Sequence, residues 1–215
     1  MPGGNNLRHV LEASRPYLED KDEPVIAYLP LASLYSEKWL GVNREAFDGL
    51  GELVEINAEL MTQREIENVI RDAALVYITG GNTFLLNHRL HASGVMPYLK
   101  KKVQNGLPIV GVSAGMILCG PNILTSRDMN TVETNYFGGL SALPLTFCPI
   151  IQRMPSASRC WMTGWGIIIS STTTRSSWYV MMDTLKWTAG KHPWRAERLT
   201  SCARTRRRND WLKGK

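Results

Sequence analysis

Four short apolar runs, each followed by a stretch with helical character, constrain the fold of the first 150 residues most strongly. The runs are bounded by charged or turn-forming residues and have the length of buried strands. We predict strands over 24–29, 53–57, 74–78 and 107–112. Strands that alternate with helices form a parallel sheet, because each crossover has to cover a face of the sheet. The pattern predicts an α/β fold, a mostly parallel sheet flanked by helices in a flavodoxin- or Rossmann-like three-layer arrangement.

The segments between the apolar runs predict the helices. The best-marked start is Thr62, where Glu65 three residues later completes a capping box. We predict helices over 36–48, 62–72, 83–92 and 96–104. A further helix is predicted to begin near Leu7. A sheet of this kind ordinarily starts with an apolar strand, and the residues before Leu7 have the composition of a loop, so we expect the first strand to be absent.

Composition narrows the class of protein. The 215 residues are 44% hydrophobic and 20% charged, which is enough for one domain with a substantial core. No run of eighteen apolar residues exists, so a transmembrane helix is not expected, and the N-terminus does not have the pattern of a signal peptide. Four cysteines without regular spacing favour neither a disulfide framework nor a zinc site. We expect a cytoplasmic protein without a metal or an organic cofactor.

The net charge of +6 is unevenly distributed. Residues 1–150 carry 12 basic and 16 acidic side chains, whereas residues 151–215 carry 13 basic and 3 acidic ones and six of the seven tryptophans. We therefore predict a domain over 1–149 and a basic, tryptophan-rich tail over 150–215 that is poorly ordered. The basic run 204–208 is typical of a nucleic-acid patch, a solvated charge run or an out-of-frame sequence. The composition break favours the last of these, so nucleic acid is not the expected partner.

Residues 111–115 read Gly-Val-Ser-Ala-Gly, directly after the fourth predicted strand and before an apolar helix start. This is the context of a nucleophile elbow, in which a sharp turn exposes the serine oxygen and small neighbours prevent collision. Ser113 would be the nucleophile, and the backbone N–H of Ala114 could stabilise an oxyanion. The alternative is a glycine-rich turn in which Ser113 only caps the helix. The strand and helix on either side favour the nucleophile.

Residues 80–83, Gly-Gly-Asn-Thr, end the third predicted strand. Glycine lets the backbone approach a ligand closely, so Gly81 could supply a second oxyanion donor. The alternative is a plain strand-to-helix turn capped by Asn82 or Thr83. Because ligands of open α/β sheets bind beyond the carboxyl ends of the strands, two glycine-rich turns at such ends together indicate a site.

Three stretches resemble, in order and spacing, motifs of the dipeptidase E and cyanophycinase family of serine peptidases: 76–86, 111–115 and 126–128. The resemblance covers roughly residues 20–149 and implies a fold similar to class I glutamine amidotransferases. It implies Ser113 as the nucleophile, with the N–H groups of Gly81 and Ala114 as the oxyanion hole. Asp128, fifteen positions after the serine, would orient the catalytic histidine. Without the resemblance, Asp128 would be interpreted as a surface carboxylate beside Arg127.

The histidine that the resemblance requires follows a proline, thirty-seven positions beyond the serine, and that position is Ile150. An aliphatic side chain cannot accept the serine proton. The chain has four histidines, His9, His88, His91 and His192, and we assign a triad role to none of them. We expect His88 and His91 to be surface residues of the helix after residue 82. A one-nucleotide slip at the codon of Ile150 would explain both the composition break and the missing base. In a frame shifted one nucleotide earlier, the codon at position 150 consists of the last base of the Pro149 codon followed by AT, the first two bases of the Ile150 codon. Such a codon can encode histidine.

These observations predict a serine-type peptidase that hydrolyses small peptides, with aspartyl peptides as the class that the resemblance implies. Asn82 and Arg127 are candidate substrate-binding residues. For Arg127, the sequence itself favours the alternative interpretation, a solvated surface arginine. One alternative is a non-catalytic small-molecule-binding protein of the same fold, which Ile150 favours. A nucleic-acid-binding protein acting through the tail is another. A glutamine amidotransferase is weaker, because cysteine should stand at position 113. The sequence leaves monomer and homodimer open.

Overall fold

The computed structural model describes residues 5–142 and, beyond them, the backbone of four strands within 164–198. The helices are α1 (Asn5–Ser14), a 3₁₀ helix (Arg15–Tyr17), α2 (Glu37–Phe47), α3 (Gln63–Asp72), α4 (Thr83–Ala92), α5 (Met96–Gln104) and α6 (Ala114–Leu118). The strands are β1 (Val25–Leu29), β2 (Glu52–Glu55), β3 (Ala73–Ile78), β4 (Ile109–Gly111), β5 (Gly164–Thr172), β6 (Arg175–Met182), β7 (Leu185–Thr188) and β8 (Arg195–Arg198).

One sheet contains all eight described strands in the order β2-β1-β3-β4-β5-β6-β7-β8. The pairings β1–β2, β1–β3 and β3–β4 are parallel, and those from β4–β5 onward are antiparallel. The predicted α/β fold with a parallel sheet is confirmed for the first four strands, whose bounds differ from the prediction by one to two residues at most ends. Helix α1 is also present as predicted.

The core lies on both faces of the parallel strands because successive strand residues point to opposite sides. In β1, Ile26 and Tyr28 pack with α1 and α2, whereas Ala27 and Leu29 pack with the helices of the opposite face. The second face is covered by α3, α4, α5 and α6, with Ile66, Leu86, Leu99 and Ile117 among the buried side chains. These two clusters make the three layers that the strand–helix alternation predicts.

Local signals in the sequence explain where several helices start. Thr62 caps α3, with the N–H of Glu65 donating to its hydroxyl at 3.3 Å and its own N–H donating to the Glu65 carboxylate at 2.7 Å. The predicted capping box is therefore formed. Helix α5 begins with Pro97 in its first turn, where a missing N–H costs no helical hydrogen bond.

Some predictions fall outside the described residues. The boundary at residue 149 and the basic run 204–208 are among them, so the division of the chain and the poor order of the tail stay predictions. Residues 1–4 are also not described, so the predicted absence of a first strand before α1 stays a prediction. Among the described helices, none is both long and apolar enough to span a bilayer.

We expect Leu75→Ala to lower the free energy of unfolding by about 2–5 kcal/mol, because Leu75 is fully buried in β3 and its truncation leaves a cavity. Leu60, which is 83% exposed, is the matched control, and Leu60→Ala should change that free energy by less than about 0.5 kcal/mol. Urea unfolding followed by circular dichroism measures both. Equal losses in the two variants would contradict the core described for β3.

Candidate active site

Ser113 lies in the turn between β4 and α6, with φ 51° and ψ −103°. Residues other than glycine seldom adopt this backbone conformation. It costs of order 1–3 kcal/mol and persists only where the surrounding structure enforces it. The turn is fixed on both sides, since Gly115 N–H donates to Val112 O at 3.0 Å and Ile117 N–H donates to Ser113 O at 3.1 Å. The sharp turn expected of a nucleophile elbow is thus present at the predicted serine.

The two glycines of the motif are required by backbone packing. A Cβ at Gly111 would lie 2.7 Å from the carbonyl carbon and oxygen of Gly115. A Cβ at Gly115 would lie 2.7 Å from the carbonyl oxygen of Ile78, at the end of β3. The first turn of α6 therefore packs directly on the ends of β3 and β4, and only glycine at both positions allows it.

The Gly80–Gly81 turn lies directly against the serine. A Cβ at Gly80 would be 3.1 Å from the Cβ of Ser113. Gly81 has φ 145°, and a Cβ there would be 2.3 Å from the carbonyl oxygen of Ala32, in the loop after β1. Asn82 N–H donates to the same oxygen at 2.8 Å. The two glycine-rich turns that the sequence singled out are therefore neighbours at the carboxyl edge of the sheet.

Two backbone N–H groups near the serine have no partner within the described part of the chain. They belong to Gly81 and Ala114, from which no described hydrogen bond is donated. Gly81 is exposed, whereas Ala114 is buried at the start of α6. Free N–H groups next to a serine in an elbow conformation are what an oxyanion hole requires.

Asp128 is bound to the start of α4. Its Oδ2 accepts hydrogen bonds from the backbone N–H of Thr83 at 2.7 Å, the Thr83 hydroxyl at 2.6 Å and the Ser126 hydroxyl at 2.9 Å. Thr83 is fully buried and the aspartate is half-buried. The interpretation of Asp128 as a plain surface carboxylate beside Arg127 therefore does not fit, although its role toward a histidine stays a prediction.

The candidate substrate-binding residues differ in their surroundings. Asn82 caps α4 by accepting a hydrogen bond from Leu85 N–H at 3.0 Å, and its amide N–H donates to Met129 O at 2.8 Å. The capping alternative is thus observed for Asn82. Arg127 is exposed, as expected of a solvated surface arginine. Substrate binding by either residue stays a prediction.

No described contact joins a histidine to the serine in the described part of the chain. His91 stacks on the Tyr136 ring at 4.5 Å, and His88 lies 6.4 Å from the same ring. Both are half-buried under the loop that contains Tyr136, so the prediction of surface residues was too simple for them. His9 lies in α1, with Nδ1 3.6 Å from the Glu12 carboxylate. None of the three has a described contact with Ser113 or the aspartate, while His192 and Ile150 lie outside the described residues.

A nearby thiol offers no second nucleophile. Cys119 follows α6 and is completely buried, and its Sγ–H donates to Gly115 O at 3.2 Å. Burial raises the pKa of the Cys119 thiol to about 12, so the thiol stays protonated at neutral pH. This favours Ser113 over a cysteine as the reactive group in the described part of the chain.

Sequence reasoning missed Arg89, which lies beside the site. Its guanidinium donates to Leu31 O at 3.0 Å and to Ser33 O at 2.9 Å, in the loop after β1, and it forms an ion pair with Glu59. Arg89 belongs to a helix without a distinctive motif, and its partners lie 30 to 58 residues away along the chain. No sequence spacing could indicate these contacts.

A parallel α/β sheet with an elbow serine and a glycine turn at its carboxyl edge defines the class of α/β proteins built around a nucleophile elbow. The model of peptidase family S51 matches residues 1–162, and the chain belongs to that family.

Its relatives and structural neighbours agree with this placement. The chain is 36% identical over 130 residues to Peptidase E of Nostoc sp. (58% of this chain, 51% of that protein) and 31% identical over 154 residues to a probable alpha-aspartyl dipeptidase of Drosophila melanogaster (69% and 63%). It spans about half to two thirds of the length of these relatives. A putative peptidase E from Listeria monocytogenes has the same fold, with a TM-score of 0.62 at 18% identity, over 88% of this chain and 93% of that one.

We expect Ser113→Gly to be more stable than Ser113→Ala by about 1 kcal/mol, because glycine relieves the strained φ and alanine keeps it. Both variants lack the hydroxyl, so the difference reports the relief of backbone strain less the larger entropy that glycine loses on folding. Thermal and urea unfolding of the pair measure it. Equal stability, or a more stable alanine variant, would contradict a strained elbow.

Proposed function

We propose that the chain has the active site of a serine-type peptidase that hydrolyses small peptides, and that Ile150 in place of the triad histidine limits the activity of this chain. The observation that carries this proposal is the conformation of Ser113, held at φ 51° by glycine packing and placed against the Gly80–Gly81 turn. Strain of this kind is retained at functional sites and would otherwise be selected against, since it costs stability. Membership of peptidase family S51 supports a peptide as the substrate.

In this mechanism the Ser113 hydroxyl attacks the carbonyl carbon of the scissile amide. The negative charge that develops on the carbonyl oxygen is stabilised by the N–H groups of Gly81 and Ala114, which have no other described acceptor. A general base has to take the serine proton and then deliver it to the leaving amine. The acyl-enzyme is finally hydrolysed by water, which regenerates the serine.

Asp128 is the acid that would orient this base. All its described side-chain hydrogen bonds fall on Oδ2, which leaves Oδ1 to accept an N–H from an imidazole. A carboxylate fixed by three donors holds its partner in one tautomer and one direction. Its anchoring at Thr83, two residues after Gly81, links the acid to the oxyanion turn.

The general base is the part of the site that the described part of the chain does not supply. The position that the resemblance gives to the histidine is Ile150, outside the described residues. We propose that a one-nucleotide slip at this codon removed the histidine and produced the basic composition of 150–215. The second candidate function, a non-catalytic protein that binds small molecules with the same fold, is favoured by Ile150 alone.

The proposed substrates are dipeptides or short peptides with an N-terminal aspartate. Support comes from the Drosophila melanogaster relative, a probable alpha-aspartyl dipeptidase. We propose a cytoplasmic location, supported by the four irregularly spaced cysteines, of which the one described is free and buried.

We expect Ile150→His to raise kcat/KM for Asp-Leu hydrolysis by roughly 10²- to 10⁴-fold, the contribution of a positioned general base. Ile151→His is the matched control, since it introduces the same side chain one residue later and should give no comparable gain. Adding Ser113→Ala to the Ile150→His chain should abolish the gain. Peptide cleavage followed by chromatography measures all of these variants.

If Ile150→His gains nothing over Ile151→His, or if hydrolysis survives Ser113→Ala, the peptidase proposal fails. Calorimetry with Asp-Leu then tests the second candidate, which requires binding of the peptide without turnover.

The origin of Ile150 has a separate test. Sequencing the gene and its transcript across the codons for residues 147–155 should show one base lost or gained relative to a frame that encodes Pro-His at 149 and 150. An intact frame at both levels would contradict the slip. The composition of 150–215 would then belong to the protein itself.

A further inference from the structure

We propose that Arg89 is a positioning residue for the oxyanion hole, acting through the loop after β1. This inference rests on the proposed function only in assigning Gly81 to the oxyanion hole. The loop, residues 30–33, which we call the β1 loop, lies against Gly81 and is held there by the guanidinium of Arg89.

The contacts of Arg89 surround one residue of the β1 loop. Its Nη1 donates to Leu31 O at 3.0 Å and to Ser33 O at 2.9 Å, the carbonyl groups on either side of Ala32. Its Nη2 forms an ion pair with Glu59. The Arg89 side chain is only 15% exposed, so its two bonds to the carbonyls are partly shielded from water, and shielding strengthens charge-assisted hydrogen bonds. The Glu59 side chain is exposed.

The carbonyl of Ala32 connects this clamp to the oxyanion turn. It accepts the Asn82 N–H at 2.8 Å, and it lies 2.3 Å from the position that a Cβ on Gly81 would occupy. Ala32 itself is buried. A shift of the β1 loop therefore moves the peptide group between Gly81 and Asn82, and with it the direction of the neighbouring Gly81 N–H.

Arginine suits this role better than lysine. Its planar guanidinium can donate to two carbonyls and a carboxylate at once, whereas an ammonium group cannot reproduce the fork. Truncation would leave the Leu31 carbonyl without this donor in a buried environment, a situation that favours rearrangement of the loop. Donors of an oxyanion hole must be held to within about 0.5 Å, so a small loop shift is sufficient to affect catalysis.

Arg89 could instead serve only to anchor α4 to the rest of the fold. The two roles differ in their consequences. A structural anchor affects global stability, whereas a positioning residue affects local opening of the turn and the stabilisation of the transition state. The second effect lowers kcat and leaves KM nearly unchanged, because an oxyanion hole acts on the developing charge and not on the bound substrate.

The experiment compares the full chain with Arg89→Lys, Arg89→Ala and the control Arg71→Ala. Arg71 also forms an ion pair, with Asp72 at 2.9 Å, on a helix of the same face and away from the β1 loop. Hydrogen exchange resolved at the Asn82 amide reports the bond to Ala32 and needs no turnover. Kinetics of Asp-Leu hydrolysis are measured with the same substitutions in the Ile150→His chain.

For Arg89→Lys we expect the Asn82 amide to exchange at least tenfold faster, with a melting temperature within a few degrees of the parent. We expect kcat to fall roughly 10- to 100-fold, which is no more than the effect of removing a whole oxyanion donor. KM should stay within about twofold. Arg89→Ala should show larger effects of the same kind, and Arg71→Ala should show neither. Arg89→Lys keeps the charge and the stem, so it decides the question if Arg89→Ala does not fold.

Unchanged Asn82 exchange in Arg89→Lys would overturn the proposal, as would a rise in KM with kcat preserved. If no chain with Ile150→His hydrolyses the peptide, the proposed function fails, and the exchange measurement still decides whether Arg89 holds the turn.

Discussion

The close approach of backbone to backbone at the carboxyl ends of β3 and β4 is the constraint on which the rest of the site depends. Glycine at 111 and 115 lets the first turn of α6 pack on Ile78, and this packing forces Ser113 into its left-handed conformation. Gly80 then brings the second turn to within contact of the serine. A methyl group at any of these glycines would push the segments apart, so the position of the reactive hydroxyl is a consequence of packing density.

Hydrogen bonds from outside the two turns stabilise this arrangement. Asp128 reaches the site from a loop 45 residues further along and ties itself to Thr83, while the loop after β1 contributes the carbonyl of Ala32. Each of these partners lies on a different segment, and each segment is fixed by hydrogen bonds of its own. The oxyanion turn is therefore held from two sides, which is the preorganisation that electrostatic stabilisation of a transition state needs.

The sequence could predict the parts of this structure that depend on local pattern. Strand and helix alternation predicted the parallel sheet, and the glycine spacing around Ser113 predicted the elbow, because both signals are short-range. The contacts of Asp128 with Thr83 were not predicted, because the residues are 45 positions apart and the family resemblance implied only that Asp128 orients a histidine. Arg89 could not be found at all, because two of its partners are backbone carbonyls, which carry no side-chain signature, and the third, Glu59, lies 30 residues away along the chain.

The site also separates into a part that shapes the backbone and a part that moves protons. The elbow, the two free N–H groups and the anchored carboxylate belong to residues 80–128, where glycine packing and buried hydrogen bonds hold them. A general base contributes to none of these contacts. The interactions described for the turns, and the strain at Ser113, therefore do not depend on which residue stands at position 150, where we propose the base. For this reason a protein that binds peptides without cleaving them and an active peptidase would share the same described site, and the general base that we propose at position 150 would separate them.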